Sequence, residues 1–322
     1  MRIIAGDIGG TKTLLSCVEL EGSARTVIKQ ERFESGAFPT FDDVLKRFLA
    51  DIPGEISRSC FAVAGPVIQG QASITNLPWK MNRDLLAAGF PLGKVILIND
   101  FFANAFAIPA LLPTDLVVIN AGRPAPNEPM AVLGAGTGLG QAVLIHDGPR
   151  WRVLPSEGGH CDFAPNSGEQ AALLDKLREQ FGHVSVERVV SGDGMTNVYQ
   201  FLGGPIDLPF DDMPAKIAGL AKEGDVVARR AFEIFVDCYG AEAGNLALKV
   251  MALGGIYISG GIAVKNVDRF IDGRFMAAFR SKGRLEPVLS AIPVSLIINP
   301  NLGLIGATEL AIQGLQSLRD QP

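Results

Sequence analysis

An aspartate set among glycines in a turn is a compact means of holding a phosphate together with its magnesium ion. Residues Gly6-Asp7-Ile8-Gly9-Gly10-Thr11 have that make-up. Glycine leaves backbone N–H groups bare enough to converge on phosphate oxygens. A carboxylate at the tip can hold Mg²⁺, usually through water. A second stretch, Gly134-Ala135-Gly136-Thr137-Gly138-Leu139-Gly140, and a third, Ser259-Gly260-Gly261, repeat the theme. Either hairpin-like stretch alone reads as an ordinary tight turn, and Gly260-Gly261 as a turn that opens a helix. Three in one chain point to nucleotide binding.

Two better-known motifs are approached and missed. Continued through Lys12-Thr13, the first stretch nearly spells the P-loop G-x-x-x-x-G-K-[ST], but Thr11 stands where the second glycine belongs. A P-loop also opens a helix, whereas Thr13-Leu14-Leu15-Ser16-Cys17-Val18 is rich in strand formers. Val95-Ile96-Leu97-Ile98-Asn99-Asp100 imitates the apolar strand and terminal acid of a Walker B motif. The second stretch nearly spells G-x-G-x-x-G, yet its glycines recur at every second position and the sixth place is Leu139. Period two suits a hairpin better than the strand-to-helix turn of a dinucleotide site. An NAD-linked dehydrogenase is therefore disfavoured.

The elements that must position these turns follow from periodicity. Strand-like runs at 2–5, 13–20 and 26–33 surround the first turn, the second resuming after Gly9-Gly10 as in a hairpin. Thr40, with Asp43 three residues on, marks a helix start. Phe41, Val44, Leu45, Phe48 and Leu49 keep helical spacing behind it. Buried strands are expected at 60–64 and 94–98, the latter ending on Asn99-Asp100. Pro109, Pro113, Pro124, Pro126 and Pro129 crowd one stretch that holds only a short strand, 116–119, and reads as a domain border. Strand, glycine turn and strand then return at 130–133, 134–140 and 141–145. Helices dominate afterwards. Ser167-Gly168-Glu169-Gln170 looks like a capping box opening a helix to Phe181. A long helix over 225–251 is expected to break or bend near Gly240 and Gly244, and a closing helix covers 302–318. Strands at 256–259 and 294–298 complete an alternation that indicates α/β. The two glycine-turn hairpins hint at an internal duplication.

Composition narrows the field further. Of 322 residues, 48% are hydrophobic and 20% charged, which suits packed cores in two domains and rules out disorder as the main state. With 29 basic against 34 acidic residues and a net charge of -5, a generic grip on nucleic acid is not expected. Mean hydropathy of +0.25 raises the question of a membrane. The longest apolar stretch, 246–264, is interrupted by Lys249, Ser259 and glycines, whereas a spanning helix wants about 20 apolar residues. The N-terminus runs straight into the acidic glycine motif without an apolar signal segment, so a cytoplasmic protein is expected. Cys17, Cys60, Cys161 and Cys238 form no CxxC pair and read as reduced, mostly buried thiols.

Several further stretches join the glycine turns in a fixed order. They are Ile98-Asn99-Asp100-Phe101, Pro155-Ser156-Glu157-Gly158-Gly159-His160, Asp162-Phe163-Ala164-Pro165, His183-Val184-Ser185-Val186-Glu187-Arg188 and Ser259-Gly260-Gly261-Ile262. Together these resemble the bacterial glucokinases of the hexokinase/actin/acetate-kinase superfamily over essentially the whole chain. The resemblance implies an α/β protein of two actin-like (ribonuclease H-like) domains flanking an interdomain cleft. A small domain would cover 1–110 and be completed by a C-terminal helix at 301–322, with a large domain over 111–300. Glucose and ATP, with Mg²⁺, are the implied ligands, and a homodimer the implied assembly. Related ROK-group proteins carry a cysteine-and-histidine zinc motif after their sugar site. Here Cys161 is the only cysteine near His160, so no zinc is expected. The family usually has Asn where this chain has Lys12, which leaves Lys12 either touching phosphate or solvated.

Phosphoryl transfer to a hydroxyl needs a base, charge neutralisation on the phosphates and in-line positioning. Asp100, just beyond an apolar strand, is the candidate base, with a plain helix N-cap before 101–106 as the alternative. Asn99, Glu157, His160 and Glu187 match positions that hold glucose in the resembling family, and Asn76, in Thr75-Asn76-Leu77-Pro78-Trp79, is a weaker candidate sugar contact. Taken alone, Glu187 reads as a favourable acid in the first turn of a helix, and His160 as a structural histidine. The resemblance assigns Gly6, Asp7, Ile8, Gly9, Gly10 and Thr11 to the nucleotide, with Mg²⁺ near Asp7 through water. Gly136, Thr137 and Gly138 would lie opposite, and Gly260 and Gly261 toward adenosine. The implied reaction is glucose to glucose 6-phosphate. A kinase for another hexose or amino sugar is the near rival. A non-catalytic sugar-sensing regulator is the distant one, disfavoured by the missing N-terminal DNA-binding extension, the net charge and Asp100.

Overall fold

The computed structural model describes residues 1–74, 77–148 and 150–319, the last five by their backbone alone. The chain forms two compact units: Met1–Leu111 with Gly148–Val153 and Asn299–Pro322, and Leu112–Asp147 with Leu154–Ile298. The first opens with β1 (Arg2–Ile8), β2 (Lys12–Glu21), β3 (Ala24–Glu34), α1 (Phe41–Leu49) and β4 (Ile56–Val63). A small antiparallel sheet of β5 (Val67–Ile68), β6 (Gln71–Ser73) and β7 (Lys80–Asn82) leads into α2 (Arg83–Gly89), β8 (Lys94–Asn99) and α3 (Asp100–Ala107). Next come β9 (Leu116–Asn120), β10 (Met130–Ala135), β11 (Leu139–Asp147) and β12 (Arg150–Ser156). The helices α4 (Gly168–Phe181), α5 (Gly192–Phe201), α6 (Met213–Glu223) and α7 (Val226–Val250) follow. The second unit ends with β13 (Gly255–Ser259), α8 (Gly261–Lys265), α9 (Val267–Ile271), α10 (Arg274–Arg280), α11 (Glu286–Ala291) and β14 (Val294–Ile297). The last helix, α12 (Leu302–Arg319), belongs to the first unit.

The two large sheets share one plan, β3-β2-β1-β4-β8 and β12-β11-β10-β13-β14-β9. In each, a glycine turn joins an antiparallel pair, with Ile8 opposite Thr13 in β1–β2 and Ala135 opposite Leu139 in β10–β11. On the far side of β1 and β10 run two parallel strands each, β4 then β8 and β13 then β14. The duplication hinted at by the hairpins thus extends through both sheets. The parallel strands are near-continuous apolar runs because both of their faces are covered; in β4 every residue but Ser57 is buried. On one face of the first sheet Ile3, Ala5, Cys60 and Ala62 meet Leu304, Ala307, Ala311 and Ile312 of α12. On the other, Ile4, Phe61 and Val63 meet Val44, Leu45 and Phe48 of α1. Helix α1 starts at the expected cap, with Thr40 Oγ1 accepting from Asp43 N at 3.3 Å and donating to Asp43 Oδ2 at 2.7 Å.

Three local expectations are revised. The second glycine turn is narrower than 134–140, because Gly134 and Gly140 pair with each other inside the ladder and only 136–138 form the tip. Helix α7 runs unbroken through Gly240 and Gly244. A Cβ at either glycine would collide with a backbone oxygen, Phe275 O or Phe279 O, so these glycines admit the close approach of α10. At α4, Ser167 accepts from Gln170 N as a cap should, but Gln170 Oε1 reaches Asn166 N at 2.7 Å instead of the cap's own amide.

Candidate active site

In both units the turns of interest lie at the carboxyl ends of parallel strands, where open α/β sheets bind ligands. In the first unit β1 ends at Asp7-Ile8 and β8 at Asn99. The capping of α3 is divided unequally between neighbours. Asn99, not Asp100, is the N-cap: its Oδ1 accepts from Phe101 N at 2.8 Å and Phe102 N at 3.4 Å, and its Nδ2 donates to Gly65 O at 3.1 Å. Asp100 is the first helical residue, so the simple N-cap alternative falls to Asn99. Burial raises the Asp100 carboxyl, against hydrogen bonds from Phe101 N–H, its own amide and Asn99.

Asp7 sits near Asp100. Burial pushes its carboxyl up to about 6, the charge of Asp100 adds to the push, and Lys12 opposes it. A Cβ on Gly303, in the first turn of α12, would stand 2.8 Å from the Asp7 carboxyl carbon, so glycine there makes room for the carboxylate. Thr11 and Lys12 are exposed at the tip. The turn is closed by Gly9 N to Lys12 O at 3.0 Å and pinned by Ser35, whose Oγ donates to Gly9 O at 2.8 Å and lies 3.0 Å from Thr13 Oγ1. Gly6 and Ile8 lie deeper. A Cβ on Gly6 would meet Leu15 at 2.7 Å and Phe61 at 2.8 Å, and the Ile8 side chain is wholly buried, so packing demands both residue types.

In the second unit the hairpin tip is held from both sides: Gly192 N donates to Gly136 O at 2.8 Å and Leu139 N to Glu187 Oε2 at 2.8 Å. Thr137 is exposed at its apex. Gly260 has φ of 92° and approaches Ala135 O too closely for a Cβ, while Gly261 opens α8 into free space. Tyr239, fully buried on α7, ties the two turns together. Its hydroxyl accepts from Ala135 N at 3.1 Å and lies within 3.3 Å of Leu133 O and Ser259 O, the strand ends beside them.

The acids and the histidine converge through backbone pairing. Val186 N donates to Cys161 O and Phe163 N to Val184 O, both at 2.9 Å, which lays 161–163 along 184–186. His160 Nδ1 thereby comes to 3.8 Å from Glu187 Oε1. Glu187 sits in a single 3₁₀ turn, Val186–Arg188, whose end is fastened by Ser191 Oγ to Glu187 O at 2.8 Å. Glu157 is exposed and precedes the turn Gly158–His160. A Cβ on Gly158 or Gly159 would strike Gln141 Oε1 or Leu139 O, so this glycine pair is what lets the turn lie on β11. Gln141 is itself fixed by Nε2 to the buried Glu242 Oε1 at 2.9 Å. Asn76 lies outside the described residues. Sequence reading missed Ser35, Tyr239, Gln141 and Gly303, none of which stands in a motif.

Two sheets of one plan, each with glycine turns at its strand ends, define the class: a protein of the actin-like ATPase fold. A ROK family glucokinase from Streptomyces griseus shares that fold, with a TM-score of 0.62 at 20% identity over 98% of this chain and 100% of that one. The sequence model of the glucokinase family matches residues 4–314. A glucokinase of Nostoc sp. is 41% identical over 332 residues, spanning 95% of this chain and 97% of its own. One from Tolumonas auensis is 38% identical, spanning 95% of each. The crystal structure of a glucokinase from an Antarctic psychrotroph superposes with a TM-score of 0.88 at 34% identity, over 97% of this chain and 99% of that one. The chain belongs to the glucokinase family.

Proposed function

We propose that this chain transfers the terminal phosphoryl group of ATP to the 6-hydroxyl of glucose, giving glucose 6-phosphate and ADP. The O6–P bond forms as the bond to the leaving ADP oxygen breaks, and Asp100 takes the O6 proton. One observation carries the assignment of the base. Asn99 is the N-cap of α3, and Asp100, whose Oδ1 also accepts from Phe101 N at 2.9 Å, stands as the first helical residue at the end of an apolar strand. Burial raises its pKa, which makes the carboxylate a better proton acceptor than an ordinary one. Glu157, His160 and Glu187 offer directional acceptors and donors to the ring hydroxyls, and a sugar lacking one would leave a site group unpaired. The hairpin 136–138 and Gly260-Gly261 present backbone to the nucleotide.

Asp7 suits Mg²⁺. Its carboxylate is a hard oxygen donor that is uncomfortable when charged and unpaired. Among the described residues no group of three or more His, Cys, Asp or Glu stands ready for a metal, so the ion would draw most of its ligands from phosphates and water, as Mg²⁺ usually does. When bound, it would neutralise charge on the phosphates. Two further parts of the proposal rest on family resemblance: a homodimer, tested by light scattering, and a cytoplasmic location. Among the described residues no helix is long and apolar enough to cross a membrane.

The test is ADP release from Mg-ATP with and without glucose, for wild type and Asp100→Asn. Wild type is expected to release ADP only with glucose. The variant is expected to lose about 10²–10⁴-fold in kcat while glucose still binds. A wild type that ignores glucose but turns over another hexose refutes the sugar assignment. A variant with wild-type turnover returns Asp100 to a structural role.

A further inference from the structure

We infer that Gly138, at the tip of the glycine hairpin, is a positioning residue of the sugar site: it leaves room for the Glu187 carboxylate, which the adjoining Leu139 N–H then fixes. This rests on the assignment of Glu187 to glucose made above. A glycine in such a hairpin is ordinarily explained by the approach of phosphate to bare backbone. The surroundings of the two tip glycines separate that explanation from another. A Cβ on Gly136 would meet nothing within 4 Å, whereas one on Gly138 would stand 2.6 Å from Glu187 Oε2 and 3.4 Å from its Cδ. Gly138 does not have a positive φ, so the backbone accepts alanine there. What alanine would disturb is the carboxylate.

That carboxylate has two distinct ends. Oε2 accepts from Leu139 N at 2.8 Å, and Oε1 faces His160 Nδ1 at 3.8 Å. The backbone of its turn is anchored elsewhere, by Ser191 Oγ to Glu187 O and by Val186 N to Cys161 O. Side-chain torsions are thus the freedom left to Glu187, and the hairpin removes it. A ligand carboxylate held in one rotamer binds better than one that must be ordered on binding. The hairpin therefore serves the sugar before any nucleotide arrives. By linkage, a sugar that immobilises Glu187 also stiffens the hairpin against which the nucleotide binds.

Glucose binding in the absence of nucleotide, measured by calorimetry, tests the inference in wild type, Gly136→Ala, Gly138→Ala, Glu187→Ala and the Gly138→Ala/Glu187→Ala double variant. Thermal melting is followed in parallel. Gly138→Ala is expected to weaken glucose binding about tenfold or more, the scale of a lost charge-assisted hydrogen bond. Its melting should stay near that of wild type, because the obstructed atom is the end of a flexible side chain. Gly136→Ala should bind glucose as wild type does. In the Glu187→Ala background, Gly138→Ala should add nothing, since its effect runs through that carboxylate. Wild-type affinity in Gly138→Ala, an equal loss in Gly136→Ala, or a full additional loss in the double variant each overturns the inference and leaves the proposed function standing. A wild type that does not bind glucose overturns both.

Discussion

Replacing Asp7 by asparagine is expected to make the protein more stable and inactive at once. Burial and the charge of Asp100 raise the Asp7 carboxyl from an ordinary 3.8 to about 6. At pH 7.5 the metal-free folded state therefore keeps a charge that the unfolded chain holds comfortably in water. A shift of about two units corresponds to roughly 3 kcal/mol of destabilisation. The pH dependence has a definite sign. Between pH 3.8 and about 6 the folded state binds more protons than the unfolded one, so the Asp7 contribution to stability falls as pH rises through that window. Above it the penalty is complete; below it the group is neutral in both states and the penalty is gone. Asparagine has nearly the same shape and no charge at any pH.

Urea unfolding of the metal- and nucleotide-free protein should show Asp7→Asn more stable by up to about 3 kcal/mol at pH 7.5, with the gap closing toward pH 4. ADP release from Mg-ATP and glucose should be lost in the same variant. Asp7→Glu provides a contrast. The carboxyl already lies close to Gly303, so a longer side chain should destabilise at every pH. An asparagine variant no more stable than wild type at pH 7.5, or a gap indifferent to pH, would refute the reasoning.

Other outcomes follow from neighbouring features. Tyr239→Phe leaves the buried Ala135 N–H without its acceptor, which should cost about 1–3 kcal/mol in urea melts. Because that hydroxyl joins the strand ends beside both turns proposed for the nucleotide, KM for ATP should rise more than KM for glucose; an unchanged ATP KM would count against the link. Gly306→Ala drives a Cβ into Ala103 O between α12 and α3 and should destabilise the first unit by about 3 kcal/mol or more, seen as faster limited proteolysis. Gly261→Ala, with open space around it, should melt as wild type does. A thiol reagent should modify Cys161 alone in the native protein, since Cys17, Cys60 and Cys238 are buried and burial pushes their thiols up. Modification of a second thiol without unfolding would contradict that burial.

Much of this architecture can be read from spacing. Period-two glycines in 134–140 signal a hairpin, and that pattern is local, so it survives folding intact. Thr40 and Ser167 mark helix starts because capping is a contact across three residues. What spacing could not show is which of two adjacent polar residues does a job. Asn99 and Asp100 are both plausible caps; the choice turns on Gly65 O, which accepts from Asn99 across the sheet. Glycines mislead for the same reason. Gly240 and Gly244 look like weak points in a helix, and the close approach of α10 that requires them is a tertiary fact. Glu187 reads as a helix-start acid until pairing of 161–163 with 184–186 brings His160 beside it.

The sharing of one core by β1 and α12 has a consequence for how the protein is made. Ile3 and Ala5 leave the ribosome long before Leu304, Ala307, Ala311 and Ile312, which cover them. At ordinary synthesis rates that interval is roughly 15–60 s. Through it the core on that face of the first sheet has Ala103 of α3 but lacks α12, leaving apolar surface of the kind that chaperones hold and that aggregation exploits, while the second unit has every strand and helix it needs. A product that stops before Leu302 would lack that cover permanently. Closure of the first unit therefore reports that translation has reached α12.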